Sequence, residues 1–147
     1  MVTNSAALKV RETGAVLVTE ADVDRLMSLV QAHESVPDGP RALPALQRKL
    51  EDAEVLHSSE VPADVVTMNS TVRLRDLGSG EELARTLAFP YSADPARGRI
   101  SILTSMGTAM LGRRLGGVFE CGVADEVRRF RVEKILYQPE AADDDHR

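Results

Sequence analysis

The acids best placed to act together are Glu34 and Asp38, four positions apart beside a segment, Val36-Pro37-Asp38-Gly39-Pro40, whose prolines and glycine cannot continue a helix. At a loop tip such a pair could hold a magnesium ion only jointly with ligands from another protein, because two carboxylates do not complete its oxygen shell. Facing water, they need no ligand. A second group suits recognition rather than reaction. Arg97, Arg99, Arg113 and Arg114 carry planar forks that match carboxylates or phosphates. They form a candidate docking face, although arginines also line exposed strands without any ligand, and Arg113 and Arg114 would suit the negative end of a helix.

The charge distribution favours docking. Residues 1–60 hold 10 acids and 6 bases, residues 61–138 hold 9 acids and 11 bases, and residues 139–147 hold 4 acids and 1 base, within a net charge of −5. An acidic front half thus precedes a mildly basic back half.

Little else in the chain has the spacing of a reactive centre. His33, His57 and His146 are scattered, so no metal site is expected. Ser58, Ser59 and Ser105 lie in no nucleophile-elbow pattern, and the stretch Leu77 to Glu81 lacks the lysine of a phosphate loop. The single cysteine, Cys121, excludes an internal disulfide and reads as a small buried hydrophobe. Five aromatic residues, none of them tryptophan, argue against binding single-stranded nucleic acid by stacking. No catalytic residue and no cofactor is expected. At 147 residues, 43% hydrophobic and 28% charged, the chain suits one ordinary domain or two small ones. Its apolar stretches fall far short of the roughly 20 residues that span a bilayer, and no signal region is evident, so a cytoplasmic protein without membrane contact is expected.

The tip acids need a hairpin beneath them. After a mixed lead-in over residues 1–18, Thr19 and Asp22 have capping-box spacing, and Val23, Leu26, Met27 and Val30 follow on one helical face to about Ser35. A second helix takes Pro44 in its first turn and carries the stripe Leu46, Leu50, Ala53 and Leu56. Each is near the roughly 12–15 residues at which an isolated helix is marginal. The two are therefore expected to zip into an antiparallel helical hairpin, a short coiled coil, over residues 19–57.

Residues 58–67, with Pro62, read as a linker, and from 68 to 139 alternation replaces the helical period. Strands are expected at Thr71 to Arg75, Leu83 to Phe89, Arg99 to Leu103, Val118 to Val123 and Val127 to Tyr137. One short helix, with Met106, Ala109, Met110 and Leu111 inward, is expected to end at Gly116-Gly117. The fold class is α+β, the hairpin being followed by an antiparallel β-sheet wrapped on one short helix. Residues 140–147 form an acidic tail, expected to fray from about Pro139.

The order of these segments resembles a known family. Val61-Pro62-Ala63-Asp64-Val65-Val66-Thr67-Met68-Asn69-Ser70, then Tyr91-Ser92-Ala93-Asp94 leading to Gly98-Arg99-Ile100-Ser101, resembles the opening of the Gre-factor C-terminal domain. Met106-Gly107-Thr108-Ala109-Met110-Leu111-Gly112 is similar to the family's helix, in which small residues precede a leucine-glycine pair. Leu136-Tyr137-Gln138-Pro139-Glu140-Ala141 resembles the ending of the Rnk branch. Together the resemblance covers roughly residues 19 to 142.

That resemblance implies an FKBP-like C-terminal domain docked at the rim of the secondary channel of core RNA polymerase, with the hairpin pointing inward. In cleavage-stimulating Gre factors a long coiled coil carries paired acids at its tip, which help to bind the second catalytic magnesium. Here two helices of about 16 and 14 residues would span only about 20 to 25 Å, and the paired-acid motif is absent. The resemblance therefore implies the Rnk type, a non-enzymatic regulator that occupies the same entry and competes with Gre factors. Gly117 stands where the family often has an aspartate. The alternative is an elongation factor that stimulates transcript cleavage through Glu34 and Asp38. The name of the branch also records a link with nucleoside diphosphate kinase regulation. No sequence-specific nucleic-acid contact is expected, the chain is read as a monomer or weak dimer, and changing Arg113 and Arg114 to glutamate should weaken docking while leaving the fold intact.

Overall fold

A computed structural model describes residues 16–34 and 42–142. Strand β1, Leu17–Thr19, runs directly into helix α1, Glu20–Glu34. Thr19 stops the strand and starts the helix, since its hydroxyl accepts the Asp22 N–H at 3.1 Å. Leu26 and Val30 are fully buried along α1. Helix α2, Leu43–Asp52, admits Pro44 in its first turn and buries Leu46 and Leu50 in the same core. No described helix is long and apolar enough to cross a membrane.

Two expectations fail at the base of this hairpin, for one reason. Val16, Leu17 and Val18 are almost completely buried, so their backbone groups require partners. The segment expected to prolong the second helix supplies them. Ala53 is extended, Glu54 donates its N–H to the Val16 carbonyl at 2.9 Å, and β2, Glu54–Leu56, pairs in parallel with β1. The helix therefore stops at Asp52 rather than running through Leu56, and the lead-in is core from Val16 onward.

A five-stranded sheet follows, formed by β3 (Thr71–Asp76), β4 (Glu82–Ala88), β5 (Arg99–Ser101), β6 (Val118–Val123) and β7 (Glu126–Tyr137) in the order β5-β4-β3-β7-β6. Alternation along β3 buries Val72 and Leu74 and turns Arg73 and Arg75 outward. The sheet is not wholly antiparallel. β5 pairs in parallel with β4, because the two 3₁₀ turns Pro90–Ser92 and Pro95–Arg97 carry the chain back to the start of the same edge.

Helix α3, Ser105–Met110, begins on the Thr104 hydroxyl, which accepts the Gly107 N–H at 3.0 Å. It touches β4 and β5 near one edge of the sheet and β6 at the other, so the sheet curls around it. Gly107 is required there, since a Cβ would overlap the carbonyl oxygen of Ser101. The helix ends six residues before Gly116, at a turn in which Gly112 takes φ 80° and lies against Val16. This close approach joins hairpin and sheet in one continuous core, containing Leu26, Leu46, Met68, Leu74, Met110 and Phe130.

The connection over 58–67 is itself packed, with Val65, Val66 and Thr67 buried. Nor does the chain fray at Pro139. Gln138 donates from Nε2 to the carbonyls of Pro62 and Val65 at 2.8 Å each, and Glu140 accepts the Thr67 hydroxyl at 2.6 Å.

Candidate partner-docking surface

Arg113 and Arg114 lie in the turn that follows α3. That turn is held from below, Gly112 N–H donating to the Val66 carbonyl, Val66 N–H to the Arg113 carbonyl and Leu115 N–H to the Asp64 carbonyl, each at 2.8 Å. Arg114 Nη2 reaches both carboxylate oxygens of Asp64, at 3.0 and 3.1 Å. Arg113 is partly buried, donates from Nε to the Ala109 carbonyl at 3.1 Å, and has its pKa pulled down by burial. Reversing Arg113 would remove this bond and bring a carboxylate toward a carbonyl of α3, so some loss of stability is expected at that residue.

Arg97 and Arg99 belong to a different turn. Arg97 is 82% exposed, with Nε 3.5 Å from Asp94, whereas Arg99 donates from Nε to the Ser92 carbonyl at 2.9 Å. Gly98, at φ 78°, makes the sharp entry to β5 possible. Among the described residues no hydrogen bond or ion pair links this pair of arginines to Arg113 and Arg114. Asp38 and the side chain of Glu34 lie outside the described residues.

The sequence reading overlooked the outer face of the sheet. Arg73, Arg75, Arg129, Arg131 and Lys134 project there from β3 and β7, with Glu82, Glu120 and Glu133 among them. Their signal was present in the spacing, since Arg73 with Arg75 and Arg129 with Arg131 alternate with the buried Leu74 and Phe130.

Two polar side chains, Lys49 and Asp22, tie the hairpin to the rest of the fold. Lys49 Nζ donates to the carbonyls of Thr108, Ala109 and Leu111 at 2.7, 3.0 and 2.8 Å, capping the C-terminal end of α3. Burial, with the Arg113 guanidinium nearby, pulls its pKa down to about 7. Asp22 Oδ2 accepts the Met68 N–H at 3.1 Å, and burial pushes that carboxyl up to about 6. Half of the capping box is thus realised, while the Asp22 carboxylate reaches across to the strand domain.

Cys121 is buried, and burial with the nearby Asp76 carboxylate pushes its thiol up to about 11, away from thiolate chemistry. His57 caps the turn Ser58–Glu60, and His33 contacts the Leu29 carbonyl. His146 lies outside the described residues, among which no cluster of histidine, cysteine and acidic residues could hold a metal ion.

Comparison with known proteins gives this arrangement a family context. A family model described as "Transcription elongation factor, GreA/GreB, C-term" matches residues 61–137. "Regulator of nucleoside diphosphate kinase" of Escherichia coli (strain K12) is 33% identical over 132 residues, 88% of this chain and 94% of that protein. "Transcription elongation factor GreA" of Clostridium botulinum (strain Eklund 17B / Type B) is 34% identical over 90 residues, 61% of this chain and 56% of that one. The chain thus spans about half the length of that elongation factor. Among solved structures, "Prokaryotic transcription elongation factor GreA/GreB from Nitrosomonas europaea" is similar with a TM-score of 0.71 and 34% identity, covering 83% of this chain and 99% of that one.

Proposed function

Because the chain belongs to the GreA/GreB transcription elongation factor family, we propose that it is a non-enzymatic regulator of transcription that binds RNA polymerase at the secondary channel and competes there with Gre-type factors. The observation that carries this reading is the extent of the matches. The relative named as a regulator is matched nearly end to end and the Clostridium botulinum elongation factor over about half its length, while the Nitrosomonas europaea structure, titled as an elongation factor, is also covered almost completely.

The size of the hairpin supports the same reading. Helices of 15 and 10 residues extend about 22 and 15 Å at about 1.5 Å per residue, a short reach for delivering tip acids to a distant catalytic centre. In this reading the curled sheet with α3 is an FKBP-like docking domain and the hairpin a short coiled coil directed into the channel. Arg97, Arg99, Arg113 and Arg114 belong to the docking side, and Glu34 and Asp38 to the inserted tip.

Titration of the protein against a labelled Gre factor bound to core RNA polymerase tests the proposal. Displacement near stoichiometric occupancy is expected. Binding without displacement would overturn competition at the channel, and absence of binding would overturn the polymerase reading altogether.

A further inference from the structure

In two neighbouring inner strands of the sheet, β3 and β7, like charges stand opposite each other twice. Arg73 in β3 faces Lys134 in β7, and Arg75 faces Arg131. Directly opposed like charges destabilise a strand pair. The second pair is relieved from within, because Glu82 lies 2.6 Å from Arg75 and Glu133 reaches Arg75 and Arg131 at 3.4 Å each. The first is not. Among the described residues neither Arg73 nor Lys134 has a carboxylate partner.

The surroundings leave that pair open. On the other side of Arg73 stands Ala84, and the next row is Thr71 and Thr86, whose hydroxyls bond to each other at 2.8 Å. The result is a shelf of small side chains beside two unrelieved cations. Val118, opposite Arg131, lies farther along the same face, 36% exposed. An arginine-bearing centre among small and apolar side chains suits a protein partner. Nucleic acid fits less well, since Glu82, Glu120 and Glu133 would repel a continuous phosphate backbone. A polypeptide can place its acids at the two open positions alone.

We propose that this outer sheet face docks an acidic segment of the polymerase, whose carboxylates bridge Arg73 and Lys134. The inference rests on the polymerase reading above and adds a contact surface, with its chemistry, to the one that holds Arg97, Arg99, Arg113 and Arg114. Its signature is that binding and stability move in opposite directions. Arg73→Glu or Lys134→Glu converts the repelling pair into an attracting one, so each is expected to melt higher than the wild type while binding core RNA polymerase about tenfold more weakly at low salt. The double variant restores repulsion, and it is expected to lose the gain in melting temperature and bind most weakly.

The experiment is a direct binding titration of all four proteins on purified core RNA polymerase at two salt concentrations, with a melting curve for each. Stabilised single variants that bind poorly support the inference. Wild-type affinity in all three variants would overturn it and leave the polymerase reading standing, as would affinity that simply follows melting temperature. A wild type that does not bind would remove both.

Discussion

The ammonium of Lys49 in α2 lies 2.7 Å from the carbonyl oxygen of Thr108 in α3, joining residues 59 positions apart. Its other two contacts, with Ala109 and Leu111, are at the same helix end. Lys49→Met keeps the apolar stem and removes the donor, leaving carbonyls of a partly buried helix terminus without their partner. A loss of about 1–3 kcal/mol is expected in denaturant unfolding. An unchanged midpoint would mean that water replaces the lysine without penalty.

Asp22 predicts a pH dependence of definite sign. Burial raises its carboxyl from 3.8 to about 6, against the Met68 N–H that pulls it down and with Glu140 adding repulsion. The folded state therefore holds the proton more tightly, and the associated stability is complete below about pH 3.8 and lost as pH rises through about 6. The difference is about 3 kcal/mol. Asp76 works in the opposite direction, its carboxyl lowered by the Gly78 N–H and by Arg128, so the reading must be taken against Asp22→Asn. The stability gap should move in favour of the variant from pH 4 to pH 7. A gap independent of pH would refute the assignment to Asp22.

Gly107→Ala should be among the most damaging single-methyl additions to the chain. The new Cβ would meet the Ser101 backbone rather than a side chain able to turn away. A loss of about 3 kcal/mol or more is expected in thermal unfolding, since overpacking against backbone cannot be relieved by a rotamer change. Gly80→Ala serves as a contrast. It carries strain from its φ of 79° but meets nothing within 4 Å, and should cost less than Gly107→Ala.

Arg97 offers the cleanest probe among the four arginines first placed on the docking face. It is 82% exposed and shares only a 3.5 Å contact with Asp94, so Arg97→Glu should change stability by no more than about 0.5 kcal/mol. If it belongs to the polymerase contact, the variant should bind more weakly and with a shallower salt dependence in the same titration. Unchanged affinity would remove Arg97 from the contact.

What could be read in advance divides along the range of the interactions. The period of α1 and the alternation of β3 are local properties, visible in Leu26 with Val30 and in Val72 with Leu74. β1 and β2 are three residues each, too short to carry a period, and depend on a partner across the whole hairpin. The parallel placement of β5 likewise depends on the route of two turns rather than on the composition of Arg99–Ser101. Cations were visible, but their partners were not. Arg114 meets Asp64 from 50 positions away, and the opposition of Arg73 and Lys134 requires the register shift of β7 at Glu133.

The β1–β2 ribbon and the core contacts beside it fasten only the base of the hairpin. Chain enters through Leu17–Thr19 and leaves through Glu54–Leu56 side by side, and Asp22, Leu26, Val30, Leu46, Lys49 and Leu50 tie the base of the hairpin to the core, so residues added beyond Val30 and before Leu46 lie outside that fastening. Seven residues added to each helix would extend its reach by about 10 Å without altering that fastening. One scaffold can therefore carry a short plug or a long probe, provided that the added turns lie beyond the hairpin residues that enter the core.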